Sequence, residues 1–118
     1  MSGEPQVTAQ RSGRAVVVTL AGEIDRLNAG ATRERIEQAV ARDAVGLIVD
    51  LRDVTYLDSS GVHLLHAIAR ALSRVGQRLL LVRPRRRTPA AVLELTGIGE
   101  IAPMHDDLGA ALWRLGGA

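Results

Sequence analysis

Residues 50–62 of this 118-residue chain contain most of the side chains that could do chemistry. This segment leaves an apolar strand and enters a helix through four consecutive residues, Asp58-Ser59-Ser60-Gly61. A helix start presents free backbone N–H groups and the positive end of the helix dipole, so an anion such as a phosphate is stabilised there. The same residue types also favour simple capping, and local chemistry alone favours capping by Asp58 or Ser59.

A histidine four residues beyond Ser59 raises two further possibilities. His63 is the only nearby base that could activate Ser59 as a nucleophile, but the Gly-x-Ser-x-Gly pattern of serine hydrolases is absent. His63 and His66 have a spacing that could ligate a metal, yet no Asp, Glu or Cys on the same predicted helix completes a site. The sequence therefore favours solvated or interface histidines, and no metal is expected.

Three aspartates near the end of one strand suggest a second kind of phosphate chemistry. Asp50, Asp53 and Asp58 could belong to a receiver domain with a phospho-aspartate. That chemistry needs an acidic pair after the first strand to hold a cation, and residues 10–12 (Gln-Arg-Ser) supply none. A receiver domain is therefore not expected.

The charge of the chain is nearly balanced, with 15 basic residues, all arginine, against 13 acidic ones. The densest charge is at residues 83–87 (Arg-Pro-Arg-Arg-Arg), but no aromatic residue accompanies it to stack on bases. A solvated loop, or contact with the acidic rim of a partner, is expected there, and no direct binding to nucleic acid. Tyr56 and Trp113 are expected to be packing residues rather than stacking platforms.

Composition also indicates the compartment. There is no Cys, which excludes a disulfide scaffold, a thiolate zinc site and cysteine catalysis. The N-terminus has no basic start followed by an apolar stretch. No apolar run approaches the roughly 18 residues that a membrane span needs. We expect a cytoplasmic protein that does not bind membranes.

Hydrophobic periodicity predicts the elements that must position these residues. Strand and helix patterns alternate in the order β-β-α-β-α-β-α-β-α, which indicates an α/β fold with a mostly parallel sheet and an antiparallel N-terminal hairpin. Capping residues are expected at Asn28, Gly76 and Thr88, with Pro89 first in its helix. The predicted strands cover residues 6–10, 15–21, 45–51, 79–82 and 101–104, and the predicted helices cover about 28–42, about 60–75, 89–97 and a segment opened by residues 106–107.

Three blocks of the sequence resemble the STAS-domain anti-sigma factor antagonists, the small proteins at the centre of bacterial partner-switching circuits. The blocks are residues 20–25 (LAGEID), 50–61 (DLRDVTYLDSSG) and 92–98 (VLELTGI). They occur in the order and at the separations usual for that family, and they extend over nearly the whole chain. The resemblance implies one STAS domain over residues 1–118, with an ordered core at about 6–116, no enzymatic activity and no cofactor.

The resemblance also implies a switch and its partners. Ser59 matches the serine that is phosphorylated by an anti-sigma factor with a histidine-kinase-like ATP-binding fold, and Ser60 is the alternative site. The unmodified antagonist binds that anti-sigma factor, and a PP2C-type serine phosphatase restores the phosphorylated form; ATP and Mg²⁺ would belong to the kinase. The partner-binding surface is expected to comprise Asp25, Asp58, Ser59, Ser60 and Gly61, together with His63 on the exposed start of the same helix.

Two matters stay open at this level. His63 stands where the family usually has a small residue, which affects partner specificity. The same domain could act as a scaffold or sensor module outside any sigma-factor pathway, and a homodimer is possible because helix faces on such sheets can pair without a sequence signature.

Overall fold

The strands and helices follow the predicted order β-β-α-β-α-β-α-β-α in the computed structural model, which describes residues 4–116. The strands are β1 (Gln6–Ser12), β2 (Ala15–Ile24), β3 (Gly46–Leu57), β4 (Arg78–Val82) and β5 (Met104–His105). The helices are α1 (Ala29–Ala39), α2 (Ser59–Arg74), α3 (Arg87–Thr96) and α4 (Leu108–Gly116), and a 3₁₀ turn covers Ile98–Glu100.

The five strands form one sheet in sequential order, β1-β2-β3-β4-β5. β1 is antiparallel to β2, and the remaining neighbours are parallel. The predicted α/β class, with a mostly parallel sheet and an antiparallel N-terminal edge, is confirmed. Successive right-handed crossovers place the helices that connect β2 to β5 on one face of such a sheet. Because β2, β3 and β4 are parallel, their carboxyl ends lie at the same edge of the sheet.

Aliphatic side chains fill both sides of the sheet. The larger core lies under α1, α2 and α3 and includes Ile36, Leu65 and Leu93, all fully buried. The smaller core lies under α4, where Ala111 packs with Ile48 and other residues of the opposite face. β3 is central, and its first six residues are buried, which explains why the sequence shows an unbroken apolar run there.

Two strands are longer than the hydrophobic pattern predicts. β2 was expected to end at Ala21 and β3 at Leu51, but they continue to Ile24 and Leu57. The register of the β2–β3 ladder shifts between Thr19 and Ala21 and again between Gly22 and Glu23, and the extra residue lies in β3 each time. Gly22 has a φ of 105°, a conformation that glycine adopts without steric cost, so β2 continues through the polar stretch that resembles a strand end.

Several boundaries near the C-terminal half also differ from expectation. α3 begins at Arg87 rather than Pro89, and its N-cap position is Arg86 instead of Thr88. Pro89 is therefore the third helical residue, where its missing N–H still costs no intrahelical bond. β5 is Met104–His105 rather than residues 101–104, because the chain first makes the 3₁₀ turn.

Helix α1 ends at Ala39 rather than at residue 42. The C-terminal cap of α2 is as predicted: Val75 is the C-cap, and Gly76 follows in the left-handed region with a φ of 76°. The expected packing of two aromatic residues is wrong. Tyr56 and Trp113 are both substantially exposed.

Gly61 lets α2 approach the ends of two strands. A Cβ atom built at Gly61 would lie 2.6 Å from Cγ and 2.9 Å from Cδ1 of Leu57, and 3.4 Å from Cγ2 of Ile24. Gly61 is buried, so its part in the predicted partner surface is to seat the helix rather than to present a side chain. The position of the α2 N-terminus depends on this close contact.

The substitution Gly61→Ala is expected to destabilise the protein. Alanine normally gains about 1 kcal/mol over glycine inside a helix, but the overpacking against Leu57 costs about 1–3 kcal/mol. Gly30→Ala is the matched control, since Gly30 is exposed in α1 and a Cβ there meets nothing within 4 Å. Urea denaturation should show a lower free energy of unfolding for Gly61→Ala and one higher by about 0.5 kcal/mol for Gly30→Ala. Equal increases in the two variants would contradict the close packing at Gly61.

Candidate functional site

The β2–β3 ladder brings two loops together at the carboxyl edge of the sheet. Its last pairs are Glu23 with Tyr56 and Ile24 with Leu57, so the chain leaves both strands at the same level. The two loops border a shallow depression of about 420 Å³. Its lining residues are Asp25, Arg26, Leu27, Asp58, Ser59 and Ser60.

Asp58 is the N-cap of α2, as capping preferences predict. Its Oδ1 accepts a hydrogen bond of 2.9 Å from the Ser60 backbone N–H, and its backbone carbonyl accepts from the N–H groups of Gly61 and Val62. The hydroxyl of Tyr56 donates to Asp58 Oδ2 over 3.4 Å. These contacts fix the first turn of the helix, with its positive dipole end at the depression.

Ser59 is the first helical residue of α2 and is exposed. Within residues 4–116 its side chain makes no hydrogen bond, so the hydroxyl faces solvent at a helix N-terminus. Ser60 is less accessible, since it is half-buried and its N–H is held by Asp58. Ser59 is therefore the more accessible of the two serines.

Asp25 and Asn28 hold the neighbouring loop by reciprocal hydrogen bonds. Asp25 Oδ1 accepts from the N–H groups of Leu27 (2.9 Å) and Asn28 (3.1 Å). Asn28 Oδ1 accepts from the Asp25 N–H (3.0 Å), and Asn28 Nδ2 donates to the Glu23 carbonyl (3.0 Å). Asn28 occupies the N-cap position of α1, as predicted, but its side chain does not cap that helix. The side chain instead makes its hydrogen bonds to the backbone of the preceding turn.

This turn presents Leu27, a residue that sequence reasoning missed. The side chain is 85% exposed and borders the same depression as Ser59. The hydrophobic pattern gives no signal for it, because the exposure of Leu27 is visible only once the Asp25–Asn28 turn is placed in the fold. Tyr56, 45% exposed, was also missed, because an aromatic residue in an aliphatic sequence resembles a core residue.

Negative charge surrounds the Tyr56 hydroxyl. The pKa of Tyr56 lies above its ordinary value, chiefly because the Asp58 carboxylate disfavours a second negative charge beside it. Shielding from water and the hydrogen bond to Asp58 act in the same direction, and Asp25 and Glu23 add to the repulsion. We call Glu23, Asp25 and Asp58 the acidic corner.

The two histidines of α2 lie further along the helix. His63 is exposed and His66 is half-buried, and both border a shallow depression with Arg70. Among residues 4–116, no group of three or more His, Cys, Asp or Glu side chains is placed to hold a metal ion. Over the same residues no hydrogen bond joins His63 to Ser59, so the arrangement does not resemble an activated serine nucleophile.

The three aspartates of the segment do not share a site. Asp50 is buried and binds the guanidinium of Arg52, with a closest distance of 2.8 Å. Asp53 pairs with Arg85 at 2.7 Å, and Asp58 caps α2. A phospho-aspartate centre would need several of these carboxylates free and together.

The arginine-rich loop after β4 is partly neutralised. Arg83 contacts both Glu94 and Asp106, and Arg85 contacts Asp53. These pairs reduce the positive field that phosphate backbones require. No helix within residues 4–116 is long and apolar enough to cross a membrane.

Comparison with known proteins gives consistent matches. The STAS domain family model matches residues 6–111. The anti-sigma-F factor antagonist RsfB of Mycobacterium tuberculosis is 34% identical over 71 residues, which are 60% of this chain and 56% of RsfB. The match thus spans little more than half the length of that relative.

Solved structures agree over almost the entire chain. An anti-sigma factor antagonist from Mycobacterium paratuberculosis superposes with a TM-score of 0.82 at 28% identity, over 98% of both chains. The anti-sigma factor antagonist SpoIIAA in its unphosphorylated form superposes with a TM-score of 0.78 at 26% identity, over 96% of this chain and 98% of that chain. The phosphorylated form of SpoIIAA, a Bacillus protein, superposes with a TM-score of 0.68 at 26% identity, over 92% of this chain and 98% of that chain.

Titration of Tyr56 tests the electrostatics of this site. It is the only tyrosine in the chain, so ultraviolet absorbance reports its ionisation directly. The substitution Asp58→Asn keeps a capping acceptor but removes the charge, and we expect the Tyr56 pKa to fall towards its ordinary value. Asp53→Asn is the control, because Asp53 does not contribute to the shift; equal effects of the two substitutions would contradict the local origin of the shift.

Proposed function

The chain belongs to the STAS domain family, and on that premise we propose that it is an anti-sigma factor antagonist switched off by phosphorylation of Ser59. The observation that carries the proposal is the exposed hydroxyl of Ser59 at the N-terminus of α2, beside a depression formed by two loops. The kinase would be the anti-sigma factor itself, with a histidine-kinase-like ATP-binding fold. A PP2C-type serine phosphatase would reverse the reaction, and this chain would contribute no catalysis.

The names of the related proteins support this proposal. RsfB and the Mycobacterium paratuberculosis protein are anti-sigma factor antagonists, and SpoIIAA has been solved both with and without phosphate. The exposure of Ser59 is consistent with such a modification. A scaffold role would not require an accessible hydroxyl at this position.

A phosphate on Ser59 is compatible with the folded domain. It adds about −1.5 to −2 charges at pH 7, and the positive end of α2 stabilises a dianion placed there. Asp58 repels it, but the Asp58 carboxylate is already engaged by the Ser60 N–H. The modified protein should therefore stay folded.

The cost of phosphorylation falls on the interface. The dianion would add to the negative charge of the acidic corner, whose carboxylates already raise the pKa of Tyr56. A partner surface that covers Ser59 would have to remove water from the phosphate beside these carboxylates, and burying an additional charge without a partner cation is unfavourable by several kcal/mol. A partner complementary to the unmodified hydroxyl would be released.

Leu27 supplies the apolar contact that such an interface needs. It is held in place by the Asp25–Asn28 turn and stands next to Ser59. Affinity in protein interfaces is concentrated in a few residues that bury apolar surface, surrounded by polar groups. We place Leu27 at the centre of the partner-binding surface, with Asp25, Asp58, Ser59, Ser60 and His63 around it.

Phosphorylation by candidate anti-sigma kinases with ATP tests the modified residue. Intact mass should show one added phosphate on the wild type and on Ser60→Ala, and none on Ser59→Ala. Circular dichroism of the phosphorylated protein should match that of the unmodified protein. Phosphate that persists in Ser59→Ala and disappears in Ser60→Ala would assign the switch to Ser60, and binding without phosphorylation by any kinase would favour a scaffold.

The substitution Leu27→Ala tests the binding surface. We expect it to weaken binding to the anti-sigma factor by about tenfold or more, with unchanged thermal stability, because an interface anchor contributes about 1–2 kcal/mol or more. Leu95→Ala is the matched control: Leu95 is 86% exposed near the C-terminal end of α3, away from the edge that carries Ser59. Equal losses in the two variants would contradict the assignment of Leu27.

A further inference from the structure

A second surface of unbalanced charge lies at the opposite end of α2. A groove of about 520 Å³ runs between the C-terminal half of α2, the start of β4 and the segment before β5. Arg70 lies eleven residues after Ser59, which is about 16 Å along the helix axis at 1.5 Å per residue. The groove is lined by Ala69, Arg70, Ser73, Arg74, Gln77, Arg78, Leu79, Glu100, Ile101 and Pro103.

Three guanidinium groups in this groove are not neutralised. Within residues 4–116 the side chains of Arg70, Arg74 and Arg78 form no hydrogen bond or ion pair, and Glu100 is the one carboxylate in the lining. α2 itself contains no acidic residue. Among the other arginines of residues 4–116, those paired with a carboxylate are Arg11, Arg33, Arg52, Arg83 and Arg85.

The groove also offers apolar surface between its charges. Ile101 is 49% exposed, and Pro103 and the methyl group of Ala69 border the same space. A small polyanion would use the guanidinium groups and leave these apolar atoms uncovered. A peptide that carries both carboxylates and an aliphatic side chain would satisfy both.

We propose that this groove binds an acidic segment of a protein partner, with glutamate or aspartate on the three arginines and an aliphatic residue over Ile101. The site is separate from Ser59 and does not depend on the phosphorylation switch. Charge complementarity of this kind accelerates association and makes it sensitive to salt. The groove would orient a partner along α2 whatever the state of the serine.

The test is an amide NMR titration with an acidic peptide of about ten residues containing glutamates and leucines. Shifts are expected at residues 69–79 and 100–103, and the affinity should fall as salt is raised. The double variant Arg70→Gln/Arg74→Gln should weaken binding by about tenfold, as expected for two exposed ion pairs. Arg114→Gln is the matched control, because Arg74 and Arg114 each lie in the last turn of an amphipathic helix, and it should bind as the wild type does.

Control ligands separate the proposal from its competitors. A peptide with glutamine in place of glutamate, or serine in place of leucine, should bind more weakly than the parent. Pyrophosphate or a single-stranded oligonucleotide that shifts the same residues with higher affinity than the peptide would overturn the proposal in favour of a phosphate site. Equal weakening by Arg114→Gln, or no localised shifts with the peptide, would also overturn it.

Discussion

Parallel hydrogen bonding between β2 and β3 continues past two register shifts, the second of them beside Gly22, and holds until Ile24 lies opposite Leu57. The continued ladder places the turn that follows β2 beside the first turn of α2. Gly61 then allows the helix to pack directly against the ends of both strands. Without this extension the two loops would leave the sheet at different levels, and Ser59 would have no neighbouring surface.

The first turn of α2 reconciles two demands on the same few residues. Asp58 caps the helix through its carboxylate, and the phosphorylation proposed for Ser59 needs a hydroxyl that is not used for capping. The hydrogen bond from the Ser60 N–H to Asp58 provides the cap and leaves the Ser59 hydroxyl without a hydrogen bond within residues 4–116. The capping side chain and the exposed hydroxyl therefore belong to adjacent residues.

Although the net charge of the chain is only +2, negative and positive side chains are separated towards the two ends of α2. The acidic corner lies at the N-terminus of α2, where the dipole favours negative groups, and the unpaired arginines of the groove lie near its C-terminus, where cations are favoured. Each arrangement is stabilised by the end of the helix next to it. A helix polarised in this way presents two chemically different surfaces to a partner.

Local sequence determined the element order, the buried strands, the cap at Asp58 and the place of Ser59 at a helix start, because periodicity and capping depend on residues close together in the chain. It did not determine the true ends of β2 and β3, since a strand that continues through a polar stretch and a glycine resembles a strand end until its partner strand is known. The exposure of Leu27 and Tyr56 was decided only by the tertiary structure. The two side chains lie some thirty residues apart in sequence and are brought to the same end of the sheet only by the β2–β3 ladder, and such long-range pairing leaves no local pattern.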